Sequence, residues 1–232
     1  MKSVETPVLI LNYKTYELAT GQKAVELSKI VDNLASEYGI EIIIAPQFTD
    51  IYRITQEVNI KVFAQHVDPN PPGKSTGHVT IEAIREAGAV GTLLNHAERK
   101  LPYEIIDETY KRLSKFGLVA CVCAETVDKA KDLAVIGPEY IAFEIPELIG
   151  TGKSISTYSP DDVMVSVKLI QSTNPSVIPL TGAGISTGED VYASLKLGAK
   201  GALVASAVAN SPTPKEVLED MCKAVVKFKN ES

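Results

Sequence analysis

Tyr140-Ile141-Ala142-Phe143-Glu144-Ile145-Pro146-Glu147-Leu148-Ile149-Gly150-Thr151-Gly152-Lys153 passes from an uninterrupted apolar run into one carboxylate, a proline and two glycines. An apolar run without alternation is the pattern of a parallel strand buried on both faces. Such a strand delivers Glu144 to its own end, and the proline and glycines beyond it cannot extend it. A carboxylate on a rigid element beside a segment free to move suits a general base under a lid. Taken alone, the same residues also suit a strand-to-loop transition carrying a solvated acid. The rest of the chain decides.

Seven more runs of this kind recur: Val8-Leu9-Ile10-Leu11, Ile42-Ile43-Ile44, Lys61-Val62-Phe63-Ala64, Gly91-Thr92-Leu93-Leu94, Leu118-Val119-Ala120-Cys121-Val122, Val177-Ile178-Pro179-Leu180 and Gly201-Ala202-Leu203-Val204. Pro179 ordinarily speaks against a central strand, but its flanks fit one. Amphipathic segments lie between the runs, at 20–38, 103–116 and 161–171, with weaker ones at 49–56 and 126–135. Ser186-x-x-Glu189 and Thr213-Pro214-x-Glu216 read as helix starts. Gly39, Gly88, Gly117 and Gly198 stand where left-handed caps are wanted.

Eight strands alternating with eight helices admit a closed barrel or an open doubly wound sheet. The open-sheet dinucleotide fingerprint has its nearest match in Gly182-Ala183-Gly184-Ile185-Ser186-Thr187-Gly188. Its last spacing is one residue too long, and Leu203 and Val204 stand where an acid is required. The expectation is therefore an α/β fold, a (β/α)8 TIM barrel of eight parallel strands with outer helices, spanning 1–232 as one domain.

Composition narrows the function. The 232 residues carry a formal charge of -6, against an electrostatic nucleic-acid binder. No apolar run approaches membrane-spanning length, and the first residues lack a secretion-signal core. The three cysteines and three histidines form no metal-ligand pattern. Cys121 and Cys123 share one strand face and read as packing. These features fit a reduced, metal-free, cytoplasmic protein.

In a closed eight-stranded barrel, chemistry sits at the C-terminal ends of the strands. There the sequence places Asn12-Tyr13-Lys14, Gln65-His66, Asn95-His96-Ala97-Glu98-Arg99 and Glu144, then Thr181-Gly182-Ala183-Gly184 and Ala205-Ser206-Ala207. An acid, a histidine, a lysine and an asparagine converge on one rim. The small residues of the last two loops let backbone N–H groups approach an anion such as phosphate. Tight packing of loop on helix is the alternative use of the same residues.

These motifs, in this order and across essentially the whole chain, resemble the triosephosphate isomerase family, in its shorter archaeal form. The resemblance implies interconversion of dihydroxyacetone phosphate and D-glyceraldehyde 3-phosphate through an enediolate, a step of glycolysis and gluconeogenesis, without cofactor or metal. It makes Glu144 the base, His96 the neutral electrophile and Lys14 the cation, with Asn12 beside it. Asn12, counted with these three as catalytic, Tyr13 and Lys14, with the backbone at Ile149, Gly150, Gly184, Ala205 and Ser206, would bind substrate and its phosphate. Glu98 and Arg99 would support the lysine and the turn around it. Burial of Glu144 behind Ile145, Leu148 and Ile149 would strengthen the base.

Three positions depart from the family's pattern. Ile145 replaces a proline, which predicts a less stiff lid hinge. Ala207 replaces a glycine and Ala97 a frequent serine. The segment 67–78, rich in proline and glycine, is too long for a routine turn. In the family such a loop enters a neighbouring subunit, where Thr76 would buttress Asn12 and Lys14. That implies a homo-oligomer, a tetramer rather than a dimer given the short fourth and fifth helical regions of the archaeal form. Another phosphate-binding barrel, such as a sugar-phosphate epimerase, would carry acids or metal ligands on several strands. A binding scaffold would not need Lys14, His96 and Glu144 on one rim.

Overall fold

The computed structural model describes residues 6–231. Eight parallel strands close into a barrel in sequence order: β1 (Val8–Asn12), β2 (Glu41–Ala45), β3 (Lys61–Ala64), β4 (Gly91–Leu94), β5 (Val119–Ala124), β6 (Tyr140–Phe143), β7 (Ile178–Thr181) and β8 (Gly201–Val204). Closure comes from β1, which pairs with β2 on one side and β8 on the other. Pro179 fits within β7 because its carbonyl still accepts the Lys200 N–H at 2.8 Å.

The helices are α1 (Gln22–Tyr38), α2 (Phe48–Thr55), α3 (Ile81–Glu86), α4 (Tyr103–Lys115), α5 (Val127–Ile136), α6 (Ile155–Tyr158), α7 (Pro160–Thr173), α8 (Gly188–Lys196), α9 (Ser206–Ala209) and α10 (Pro214–Asn230). Among the described residues, two more appear than the eight expected. The connections after β6 and β8 each insert a single short turn, α6 or α9, ahead of the long helix. The start of α8 also moves by one residue: Thr187 is its cap, and its hydroxyl accepts from Asp190 N–H while the Asp190 carboxylate accepts from Thr187 N–H. Thr213 precedes Pro214 at the start of α10 but makes no side-chain cap there.

Residues two apart on a strand share a face, and this splits the core in two. Val8, Ile10, Ile43, Phe63, Leu93, Cys121, Tyr140, Leu180 and Leu203 fill the barrel interior. Phe63 and Tyr140 meet there with ring centroids 6.5 Å apart. The intervening residues, Leu9, Leu11, Ile42, Ile44, Val62 and Ile141 among them, pack outward on the helices. All three cysteines are buried, and burial pushes each thiol up, to about 12 for Cys222.

The same alternation aims the site. Asn12 follows Ile10 inward, Cys123 follows Cys121, and Glu144 follows Ala142. The ladder continues one step past the strand ends, with Glu144 N–H on Ala124 O and Gly182 N–H on Phe143 O, both at 2.9 Å. Glu144 therefore stands on ordered backbone.

Strand contact is tightest where β8 meets β1. A Cβ at Gly201, whose φ is 155°, would stand 2.0 Å from the Val8 carbonyl oxygen. Gly201→Ala should cost about 2–3 kcal/mol and lower the melting temperature by roughly 5–10 °C. Gly117→Ala, left-handed but with nothing within 4 Å of the added carbon, should cost only about 1 kcal/mol. Equal losses in thermal unfolding of the two variants would refute the strand-contact account.

Candidate active site

Backbone strain marks the rim of the barrel. Among the described residues, the non-glycine positions with left-handed backbone are Lys14, Asn95 and Ala183, with φ of 45°, 56° and 68°. Each lies just past the end of a strand, β1, β4 or β7. Such conformations cost about 1–3 kcal/mol apiece and persist only where surrounding contacts enforce them. The enforcing contacts are present. Asn12 Oδ1 accepts the Lys14 N–H at 2.9 Å, and Gln65 Nε2 donates to Lys14 O at 2.7 Å and to Ala45 O at 3.0 Å. Asn95 Nδ2 donates to Cys123 O at 2.8 Å, while its Oδ1 accepts the Leu101 N–H at 2.9 Å.

The strained turn after β1 swings the Lys14 side chain over the rim, where Nζ meets Glu98 Oε1 at 2.7 Å. His96 leaves the turn after β4 with Nδ1 accepting the Glu98 N–H at 3.2 Å. A backbone N–H can only donate, so Nδ1 is the acceptor and Nε2 carries the proton of a neutral ring. That Nε2 lies 4.0 Å from Glu144 Oε2. Glu144 is 4% exposed, and Oε2 accepts no hydrogen bond from the described residues. A buried carboxylate oxygen left without a partner is costly unless the site uses it. Burial, and then the Glu144 charge beside it, hold the Cys123 thiol protonated.

Asn12, Lys14, His96 and Glu144 face one cleft with Ile149, Gly150, Gly184, Ala205 and Ser206. Gly152, Ala183, Ile185, Ser186 and Leu203 complete the lining. Of these, Leu203 was legible as the inward residue two before Ala205, and Ser186 as the residue closing the glycine loop. Tyr13 is a correction. Strand alternation sends it outward, where it is fully buried with its hydroxyl 3.1 Å from Ser28 Oγ and its N–H on Ala45 O. Thr76 is exposed and outside the cleft lining.

The segment over the cleft is ordered by its own contacts. Pro146–Leu148 forms one tight turn, and Ile149 N–H donates to Pro146 O at 3.1 Å. The backbone N–H of Ile149 is thus already engaged within the turn, which corrects its expected use on phosphate. Thr151 Oγ1 donates to Leu148 O and accepts from Lys153 N–H, at 2.8 and 3.1 Å. Leu148 is buried, and Ile145 and Ile149 pack against the main core. At the far end, a Cβ on Gly184 would stand 1.8 Å from Lys153 O, so only glycine lets the lid's exit cross the β7 loop. Among the described residues, no group of three or more His, Cys, Asp or Glu side chains is placed to hold a metal ion.

The chain matches the family model described as triosephosphate isomerase over residues 7–225. It is 45% identical to the triosephosphate isomerase of Methanosarcina barkeri over 219 residues, covering 94% of this chain and 99% of that protein. With the enzyme of the same name from Saccharolobus solfataricus it shares 42% identity over 224 residues, 97% of this chain and 98% of that one. The crystal structure of triosephosphate isomerase from Bartonella henselae superposes with a TM-score of 0.73 at 19% identity. It covers 95% of this chain and 99% of that one, a likeness of fold.

A Cβ at Gly182 would stand 2.6 Å from both Cγ and Oε1 of Glu144. Gly182→Ala should therefore turn the carboxylate aside and lower turnover at least about tenfold. The melting temperature should fall by only a few degrees. Unchanged turnover would show that Gly182 does not set the Glu144 rotamer.

Proposed function

Because the chain belongs to the triosephosphate isomerase family and so interconverts dihydroxyacetone phosphate and D-glyceraldehyde 3-phosphate, we propose that Glu144, His96 and Lys14 carry the reaction. The observation that supports this reading best is the unpartnered Glu144 Oε2 beside His96 Nε2. A base and a hydrogen-bond donor 4.0 Å apart can address a C–H bond and the neighbouring carbonyl oxygen of one small substrate.

Glu144 removes the proton from the carbon next to the carbonyl, and the electron pair left behind forms the enediolate double bond. His96 Nε2–H donates to the oxygen on which charge develops and moves a proton between the two oxygens. Glu144 then returns its proton to the adjacent carbon. A neutral imidazole in this role, under a closing lid, is an arrangement for which triosephosphate isomerases are the standing example. Lys14 Nζ, held by Glu98, supplies positive charge to the enediolate and phosphate, with Asn12 keeping its backbone in place. Gly150, Gly184, Ala205 and Ser206 offer the phosphate a surface of main chain. The two proton transfers leave the redox state unchanged, so this reading calls on no cofactor.

The remaining expectations are part of the same proposal. The chain is one barrel domain over 1–232, acts in the cytoplasm and assembles as a homo-oligomer, a tetramer rather than a dimer. Its support is the exposed 68–79 loop carrying Thr76, the short α5 and a charge of -6. No helix among the described residues is long and apolar enough to cross a membrane.

Coupled assays with both triose phosphates test the roles. Glu144→Asp withdraws the base by one methylene and should lower kcat about a hundredfold or more with little change in KM. A loss confined to KM would remove Glu144 from the chemistry. Thr76→Arg should weaken assembly, followed by sedimentation velocity, and activity together. A fully assembled, fully active Thr76→Arg protein would end the idea that this loop enters a neighbouring subunit.

A further inference from the structure

Asp68 lies outside the cleft, four residues past the end of β3, yet its carboxylate gathers partners from three segments. Oδ1 stands 3.1 Å from Nε2 of buried His66 and 3.6 Å from Nη2 of Arg99. Oδ2 accepts the Val79 N–H at 2.7 Å and stands 3.3 Å from His78 Nδ1. The Asp68 N–H in turn donates to Val79 O at 2.8 Å. Main chain and side chain together clasp the two ends of the 68–79 loop. Burial acts to raise the Asp68 carboxyl, but the Val79 N–H and His66 outweigh it and hold it below the usual carboxylate range. His66 is itself lowered, by burial first, despite Asp68. The anion is a fixed feature at neutral pH.

Arg99 closes the turn that begins at His96. Its N–H donates to His96 O at 2.7 Å. Within that turn lie the Glu98 N–H that orients His96 and the Glu98 carboxylate that holds Lys14. We propose that Asp68 is a positioning residue: by clasping the base of the 68–79 loop and drawing in Arg99, it holds the 96–99 turn where His96 and Lys14 are aimed. The proposal rests on the roles given to His96 and Lys14 above. Arg99 is largely exposed, so its pair with Asp68 adds little to stability. Its effect is on aim, where a displacement of about 1 Å can cost two orders of magnitude in rate. The loop also has a second fastening, because Arg112 of α4 donates to Pro69 O at 2.5 Å and to Glu82 Oε1 at 2.6 Å. Loss of the Asp68 charge therefore leaves the loop attached.

The test compares Asp68→Asn, Arg99→Gln and the double variant, at concentrations where sedimentation shows wild-type assembly. Asn keeps an acceptor for Val79 and removes the charge. Each single variant should lower kcat about tenfold with KM within about twofold, and the double should be no worse than the poorer single. In 15N-histidine NMR, the His96 ring nitrogens should shift in the same direction in both singles. Wild-type kcat in Asp68→Asn, or losses that multiply in the double variant, would overturn the proposal. If the wild type turned over neither triose phosphate, the reading of the site would fail instead. The His96 resonances would then decide alone, and unmoved signals in Asp68→Asn would overturn the positioning role.

Discussion

Everything at the rim depends on closure of β1 against β8. Once that parallel pairing is made, each strand's alternation has one inside and one outside, and there is no edge left to slip. Val8, Ile10 and Asn12 must point inward together, as must Tyr140, Ala142 and Glu144. Close approach at Gly201 and Gly91 is part of the same constraint, since both abut neighbouring backbone. The apolar plug of Phe63, Leu93, Tyr140 and Leu203 then lies beneath the residues of the cleft. In the polar layer on that plug Asn12 and Asn95 are hydrogen-bonded to neighbouring main chain, while Glu144 Oε2 is left without a partner among the described residues.

Stability is spent at the rim to obtain geometry. Lys14 and Ala183 hold left-handed backbone at the ends of β1 and β7 against their intrinsic preference, and Asn95, a residue type that tolerates it better, does so at the end of β4. Asn12, Gln65 and Asn95 hold the first two of these turns through side-chain amides, which are rigid and can donate and accept at once. Through these contacts they hold the backbone from which Lys14 and His96 project. The segment that follows Glu144 has a related logic. Leu148 and the Thr151 hydroxyl give it internal order, while Gly150, Gly152 and Gly184 supply backbone freedom and close approach.

Much of this is legible in the sequence. Uninterrupted apolar runs located all eight strands to within two residues, because burial on both faces leaves short β-branched or aliphatic runs bounded by polar and turn residues. Glu144, His96, Lys14 and the small-residue loops stood out as chemistry-bearing residues at strand ends. The helix starts were less legible. Ser186 and Thr187 both offer a hydroxyl, and only Asp190, three residues after Thr187, reciprocates. The short turns α6 and α9 carry too few residues to show a period.

The sequence by itself determined the barrel, the rim on which chemistry occurs and the residue types available there, since these follow from local periodicity and composition. Only the tertiary structure decided which way each rim residue faces. Tyr13, between two residues of the cleft, turns outward to Ser28 because alternate positions on a closed strand cannot share the interior. Ile149 has its N–H taken by Pro146, a bond that depends on how the turn closes. The meeting of Asp68 with Arg99, and of Glu144 with His96, joins residues from different strands. Their distances are set by closure of the barrel, which no local stretch encodes.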